Sequence, residues 1–119
     1  AWGVATGADE YSIEVSSDNF SSNIAGYDNL TVAGTSLSIT DLIAGTTYRY
    51  RIRATNAAGI SSYSNTIIVT LVSPAPAIAS ASAVSTTGFT ANWAATAGAA
   101  SYRLDVSTNG FTGFVSGYN

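Results

Sequence analysis

Five aromatic and apolar residues near the start of the chain, Trp2, Tyr11, Val15, Phe20 and Tyr27, recur 91 positions later as Trp93, Tyr102, Val106, Phe111 and Tyr118. Aligned without a gap, residues 1–28 and 92–119 share 9 identities, the other four being Gly7 with Gly98, Ala8 with Ala99, Ser16 with Ser107 and Gly26 with Gly117. Self-similarity at a fixed period is the signature of a repeat architecture. Whatever local structure the first 28 residues adopt must therefore be open to the last 28 as well. The chain reads as one repeat of 91 residues followed by the first 28 of the next, counted from Ala1.

The pattern inside the repeat is that of strands. YSIEV and YRLDV alternate apolar with polar residues, the period-2 signal of a strand with one buried face. SLSIT, TYRYRIRAT and NTIIVTL are β-branched or aromatic runs, bounded by the turn-forming stretches VAGT, IAGT and NAAGISS. No window carries apolar residues at i, i+3, i+4 and i+7 without glycine interruptions, so helices are not expected. Short strands at intervals of about ten residues imply an all-β sandwich or barrel. LVSPAPAIAS differs, because Pro74 and Pro76 remove ladder donors and favour polyproline II; residues 72–76 read as a short, semi-rigid linker.

Composition excludes several functions. Hydrophobic residues make up 46% of the chain, enough for a packed core, whereas charged residues are 9% against about 25% in an average soluble domain. Few ions would then be desolvated where subunits touch, which suits close lateral packing. A formal charge of −3 with no lysine and four arginines argues against nucleic acid and anionic membranes as partners. No apolar run reaches the roughly 18 residues a membrane helix requires, so no membrane insertion is expected. His, Cys and Lys are all absent, which removes disulfides, thiolate metal sites and the usual bases that activate a serine or threonine nucleophile. The opening AWGVATG has neither a starting methionine nor a leader pattern and reads as interior sequence.

LIAGTTYRYRIRATNAAGISSYSN resembles the fibronectin type III family: Leu42 stands six residues before Tyr48, followed by alternating Tyr50, Ile52 and Ala54, then Asn56, Gly59 and Ser64. The resemblance implies an immunoglobulin-like β-sandwich in which this stretch is the E–F corner, strand F and the start of strand G. Tyr48 would be the corner tyrosine, its hydroxyl bonded to upstream backbone. Trp2 and Trp93 fall where the family has its strand-B tryptophan, and Tyr11 and Tyr102 lie on strand C. Ala44 departs from the proline often found at the corner. The expected core is thus Trp2, Tyr11, Leu42, Tyr48, Tyr50, Ile52, Trp93 and Tyr102. Residues 1–71 would form a repeat lacking strand A and the start of B, with IAGYDN in its C′ segment, and residues 77–119 the first half of another, with strands A, B, C and C′. Such a half leaves Phe89, Trp93, Tyr102, Leu104 and Val106 without an opposing sheet and is not expected to fold alone. TGFTANWAATAGAASYRLDVSTN is similar to repeats of large secreted or surface-exposed bacterial proteins.

Candidate chemistry is sparse. Glu10 and Glu14 share a strand face, but four residues of strand separate them by about 13 Å, too far for a glycosidase pair. Arg49, Arg51 and Arg53 alternate on strand F and point away from the core, opposite Glu10, Ser12 and Glu14 of strand C. This is expected to be a solvated charge ladder, with a partner-facing stripe as the alternative. Asp9, Asp18, Asp28 and Asp41 lack the dense spacing of a calcium loop and read as turn and capping residues. Two triplets, at Asn19 and Asn29, match the N-glycosylation pattern and are not expected to be used. No cofactor or metal is expected, and no Arg-Gly-Asp triplet supports adhesion through that motif. The expectation is a non-catalytic structural repeat of an extracellular tandem array, secreted or at the cell surface, acting as stalk, spacer or filament body, whose partners are neighbouring repeats or copies of itself. The alternatives are a strand-exchanging assembly and an adhesin or carbohydrate-binding module that meets a glycan or cell-surface ligand through its loops, with Tyr27, Tyr63 and Tyr118 as aromatic platforms.

Overall fold

A computed structural model describes residues 1–118; Asn119, the last residue of the expected half-repeat, lies outside the described residues. They form seven strands and no helix: β1 (Glu10–Ser16), β2 (Leu30–Val32), β3 (Thr47–Asn56), β4 (Gly59–Ile60), β5 (Ile67–Thr70), β6 (Ile78–Ser82) and β7 (Thr90–Trp93). The chain divides into two compact units, Ala1–Pro74 and Ala75–Asn119. Their boundary falls inside the proline-containing stretch.

In the first unit β1 lies between β2 and β3, and β3 carries β4 at one end and β5 at the other, all antiparallel. The alternation of YSIEV explains the central place of β1: Tyr11, Ile13 and Val15 turn to one face and are almost wholly buried. Ile13, Val15 and Tyr48 form the core, with Trp2, Leu30, Leu37, Leu42, Tyr50 and Ile52 among the residues packed against it. Full burial of such a side chain is worth about 1.5–3 kcal/mol. The polar ends of the buried aromatics find backbone donors. Ile43 N donates to Tyr48 Oη at 3.0 Å across the corner, and Ala5 N donates to Tyr11 Oη at 2.9 Å. Trp2 meets the Tyr11 ring edge-on, with centroids 5.7 Å apart.

Two strand expectations change in this unit. SLSIT, residues 36–40, covers the core through Leu37 and Ile39 but is not a strand. Among the described residues no strand runs beside it, and the one backbone bond at its edge is from Trp2 N to Thr35 O at 2.8 Å. The stretch IAGYDN is a turn rather than part of a C′ strand. Ile24 N donates to Val15 O and Val15 N to Tyr27 O, so the turn closes on the end of β1, and pairing with β1 begins only at Leu30.

In the second unit β6 and β7 pair in an antiparallel hairpin, with Ile78 opposite Trp93 and an irregularity between Ala79 and Ser82. YRLDV, residues 102–106, is extended in pattern but is not a strand. The identical pattern in β1 is held by a neighbour on each side, whereas residues 102–106 have neither. Trp93 and Tyr102, expected in the core, lie with their rings 5.8 Å apart and are both exposed; Tyr102 is 40% exposed against 5% for Tyr11.

Candidate functional site

The densest polar cluster lies on the outer face of the first unit. In the β1–β3 register Ser12 stands opposite Arg53, Glu14 opposite Arg51 and Ser16 opposite Arg49. Strand alternation places these residues on the face away from Ile13 and Val15. Glu14 is nevertheless only 4% exposed. Arg51 donates to its Oε2 from Nε at 2.9 Å and from Nη2 at 2.8 Å, and the Tyr63 hydroxyl donates to Oε1 at 2.5 Å. Arg53 Nη2 stands 3.9 Å from Oε1 and donates to Asn29 Oδ1. The Arg51 guanidinium is sandwiched between two rings, 4.0 Å from the Phe20 centroid and 3.7 Å from that of Tyr63; Arg53 lies 4.5 Å from Tyr63 on the same ring system. Guanidinium stacking on aromatic faces combines cation–π attraction with planar packing.

Electrostatics follow from this enclosure. Burial pushes the Glu14 carboxyl upward, but hydrogen bonds from Tyr63 and Arg51 and the charges of Arg51 and Arg53 outweigh it and leave the group below its ordinary value. The same bond to Glu14 raises Tyr63, because losing the phenolic proton would set two negative charges together. Glu14 is therefore a held anion and Tyr63 a held phenol. Neither is poised to exchange a proton near neutral pH. The loop that delivers Phe20 is built around Ser16, whose Oγ accepts from Phe20 N at 2.9 Å and from Asp18 N at 3.1 Å. Asp18 in turn accepts from the Ser22 hydroxyl at 2.6 Å and from Ser22 N and Ser16 Oγ, bonds that hold its carboxyl at about 2. Phe20 sits at φ 64°, a left-handed conformation costly for a bulky residue, and the Ser16 bond together with the stack on Arg51 keeps it there.

The expected charge ladder is corrected in two respects. It is enclosed rather than solvated, because Phe20 and Tyr63 cover its centre. It is also shorter: Glu10 faces Thr55, and Arg49 faces Ser16 on one side and Ile68 on the other, with no ion pair among the described residues. Phe20 and Tyr63 were not assigned to this site by strand alternation, since both come from loops whose course periodicity does not specify.

A family model for the fibronectin type III domain matches residues 4–70. The chain belongs to the fibronectin type III family. Comparison with curated proteins and with solved structures finds no match. The bond from Ile43 N to Tyr48 Oη is the corner that this fold uses to close its Greek key. As a fibronectin type III chain the protein is a structural or binding module.

The other candidate positions have local roles. The Tyr27 hydroxyl accepts from Thr40 N at 2.9 Å while its ring packs on the core, so Tyr27 is not a free platform; Tyr63 is committed to Glu14, and Tyr118 is exposed. Asp28 accepts from Asn23 and Asn29, and Asp41 from Thr40, all near in sequence. Among the described residues no three acidic, histidine or cysteine side chains gather as a metal site, and no helix is long and apolar enough to cross a membrane. An open cleft of about 410 Å³ lies between Ala5–Ala8 and the hairpin end Ala54–Ser61, spanned by the bond from Asn56 Nδ2 to Gly7 O at 2.8 Å.

Proposed function

We propose that the chain is a non-catalytic structural repeat of an extracellular tandem fibronectin type III array, secreted or at the cell surface, and serves as stalk, spacer or filament body. In this reading residues 1–71 belong to one repeat, 72–76 to the linker and 77–119 to the next, and the partners are neighbouring repeats or copies of the chain. The observation that carries it is the recurrence at 91 residues, which extends beyond identity to the same turn bonds: Val15 N to Tyr27 O and Ile24 N to Val15 O reappear as Val106 N to Tyr118 O and Val115 N to Val106 O. The cluster around Glu14 supports it too, because its charges are satisfied within the chain and its acid and phenol are held out of proton exchange. Low charge and lysine poverty suit a densely packed surface array of bacterial type.

A binding reading draws on the cleft beside Ala5–Ala8, which lies at the loop end where a sandwich of this family offers variable surface. A glycan array and a cell-binding assay on the chain separate the two. The structural reading expects no saturable binding. Saturable binding that Asn56→Ala abolishes would overturn it in favour of an adhesin or carbohydrate-binding module.

A further inference from the structure

We infer that Asn109 and Gly110 form a self-modifying site, at which the asparagine side chain closes on the glycine amide and hydrolyses to the aspartate that the first unit carries at the same place. Asn109 is the one asparagine that the sequence follows with glycine. Its counterpart at 91 residues is Asp18, and the two loops share their bonds almost atom for atom. Ser107 Oγ accepts from Asn109 N at 3.1 Å and from Phe111 N at 3.0 Å, as Ser16 Oγ accepts from Asp18 N at 3.1 Å and from Phe20 N at 2.9 Å. Asn109 Oδ1 accepts from the Ser107 hydroxyl at 2.8 Å and from Gly113 N at 3.0 Å, as Asp18 Oδ1 accepts from the Ser16 hydroxyl at 2.8 Å and from Ser22 N at 2.9 Å. Gly110 and Phe111 stand at φ 68° and 63°, against 61° and 64° at Asn19 and Phe20. The loop thus has the shape of one that holds a carboxylate, with an amide in the carboxylate's place. The inference does not depend on the array reading.

The atoms that react are free, and the atom that gains charge is bonded. Two donors on Oδ1 draw electron density from Cγ and stand where the oxyanion of an attack would form. Nδ2, the leaving group, donates to no acceptor among the described residues: the Ser22 hydroxyl, which reaches the second oxygen of Asp18 at 2.6 Å, has Gly113 in its place. Gly110 N likewise donates to nothing among the described residues. Gly110 has no side chain to hinder approach, and both residues are exposed, so hydroxide and water reach them. Gly110 N gives its proton to hydroxide and bonds to Asn109 Cγ, its neighbour in the chain. The Cγ–Nδ2 bond breaks, Nδ2 leaves as ammonia with a proton from water, and a cyclic imide remains. Water then opens the imide. Opening at Cγ gives aspartate; opening at the main-chain carbonyl gives isoaspartate, whose backbone is longer by one carbon. The loop fits only the first, because Ser107 and Gly113 N remain to bind the aspartate, whereas the longer backbone carries Phe111 N away from Ser107 Oγ. The chain then gains one negative charge beyond its formal −3.

The test holds the intact chain at neutral and at mildly alkaline pH, then maps its peptides by mass spectrometry with electron-transfer fragmentation, which tells aspartate from isoaspartate. Asn109 converts at least about tenfold faster than Asn19, Asn29 or Asn56, with aspartate as the major product. The rate rises with hydroxide. In denaturing urea the same chain gives isoaspartate as the major product, since nothing then holds the loop. Ser107→Ala, which takes the hydroxyl from Oδ1 and the acceptor from Phe111 N, moves the native product ratio to that found in urea. An Asn109 that stays intact in the native chain while it converts in urea overturns the proposal, as does a native rate no greater than that of the other asparagines. Isoaspartate as the major native product, or a Ser107→Ala ratio unchanged from the native one, overturns it too, by denying the loop its part.

Discussion

Residues 1–28 and 92–118 are two renderings of one sequence pattern, and they differ only where the rest of a fold is required. Their turns coincide: Ala8 N to Ala5 O and Ala99 N to Thr96 O are both 3.2 Å, the Tyr11 and Tyr102 hydroxyls accept from the amides of Ala5 and Thr96, and Gly26 and Gly117 sit at φ 86° and 88°. Their burial does not. Ile13 is 1% exposed and Leu104 is 39% exposed, and β1 has no counterpart strand at 102–106. Turn geometry is thus encoded within about ten residues, while strand pairing and burial are supplied by β3, some 35 residues further along in the first unit. Short-range bonds form wherever their residues are, but a ladder needs its neighbour.

The largest expected effect that separates the two copies is in the core. Ile13→Ala should destabilise the first unit by about 2–5 kcal/mol, whereas Leu104→Ala should change urea unfolding by less than about 0.5 kcal/mol. Similar losses would mean that residues 102–106 pack as β1 does.

Next in size is the ionic pair. Arg51→Ala leaves Glu14 buried without its main partner and should cost about 3 kcal/mol, against about 0.5 kcal/mol or less for Arg103→Ala in the exposed pair with Asp105. The same contact sets an acid limit. Glu14 titrates lower in the folded chain than in the unfolded one, so its stabilisation is present above its ordinary value of 4.5 and is lost as pH falls below that through the depressed folded value. Asp18 adds loss between its ordinary 3.8 and about 2. Acid titration of stability should therefore fall below about pH 4.5, and Glu14→Gln should flatten the upper part of that fall.

Smaller still is the corner. Tyr48→Phe removes the acceptor for the Ile43 amide and should cost about 1–1.5 kcal/mol. Tyr102→Phe removes a shorter bond from Thr96 N, 2.7 Å against 3.0 Å, on an exposed turn, and should change stability by less than about 0.5 kcal/mol. Thermal melts of the two variants make the comparison.

How much of this was legible in the sequence varies with range. β1 and β3 were legible because alternation over YSIEV and TYRYRIRAT is a local property that also fixes which side chains face inward. Tyr48 as the corner was legible only through the resemblance of LIAGTTYRYRIRATN to the fibronectin type III family. The arginines were placed on the correct face, but the enclosure of Glu14 was not foreseen, because Phe20 and Tyr63 reach it from loops and one of them adopts a conformation that L-residues seldom take. Residues 36–40 and 102–106 carry the strand pattern without forming strands. Pattern states what a segment can pair with, and pairing depends on whether the partner stands beside it.

The most direct test of that claim is hydrogen exchange measured by NMR at paired positions of the intact chain. The Tyr11 and Ile13 amides should be protected about a thousandfold or more over those of Tyr102 and Leu104, while the chemical shifts of the turns at Gly26 and Gly117 report the same backbone geometry. Comparable protection at Ile13 and Leu104 would contradict the account, since it would mean that the pattern forms its strand without the neighbours to which the strand is here attributed.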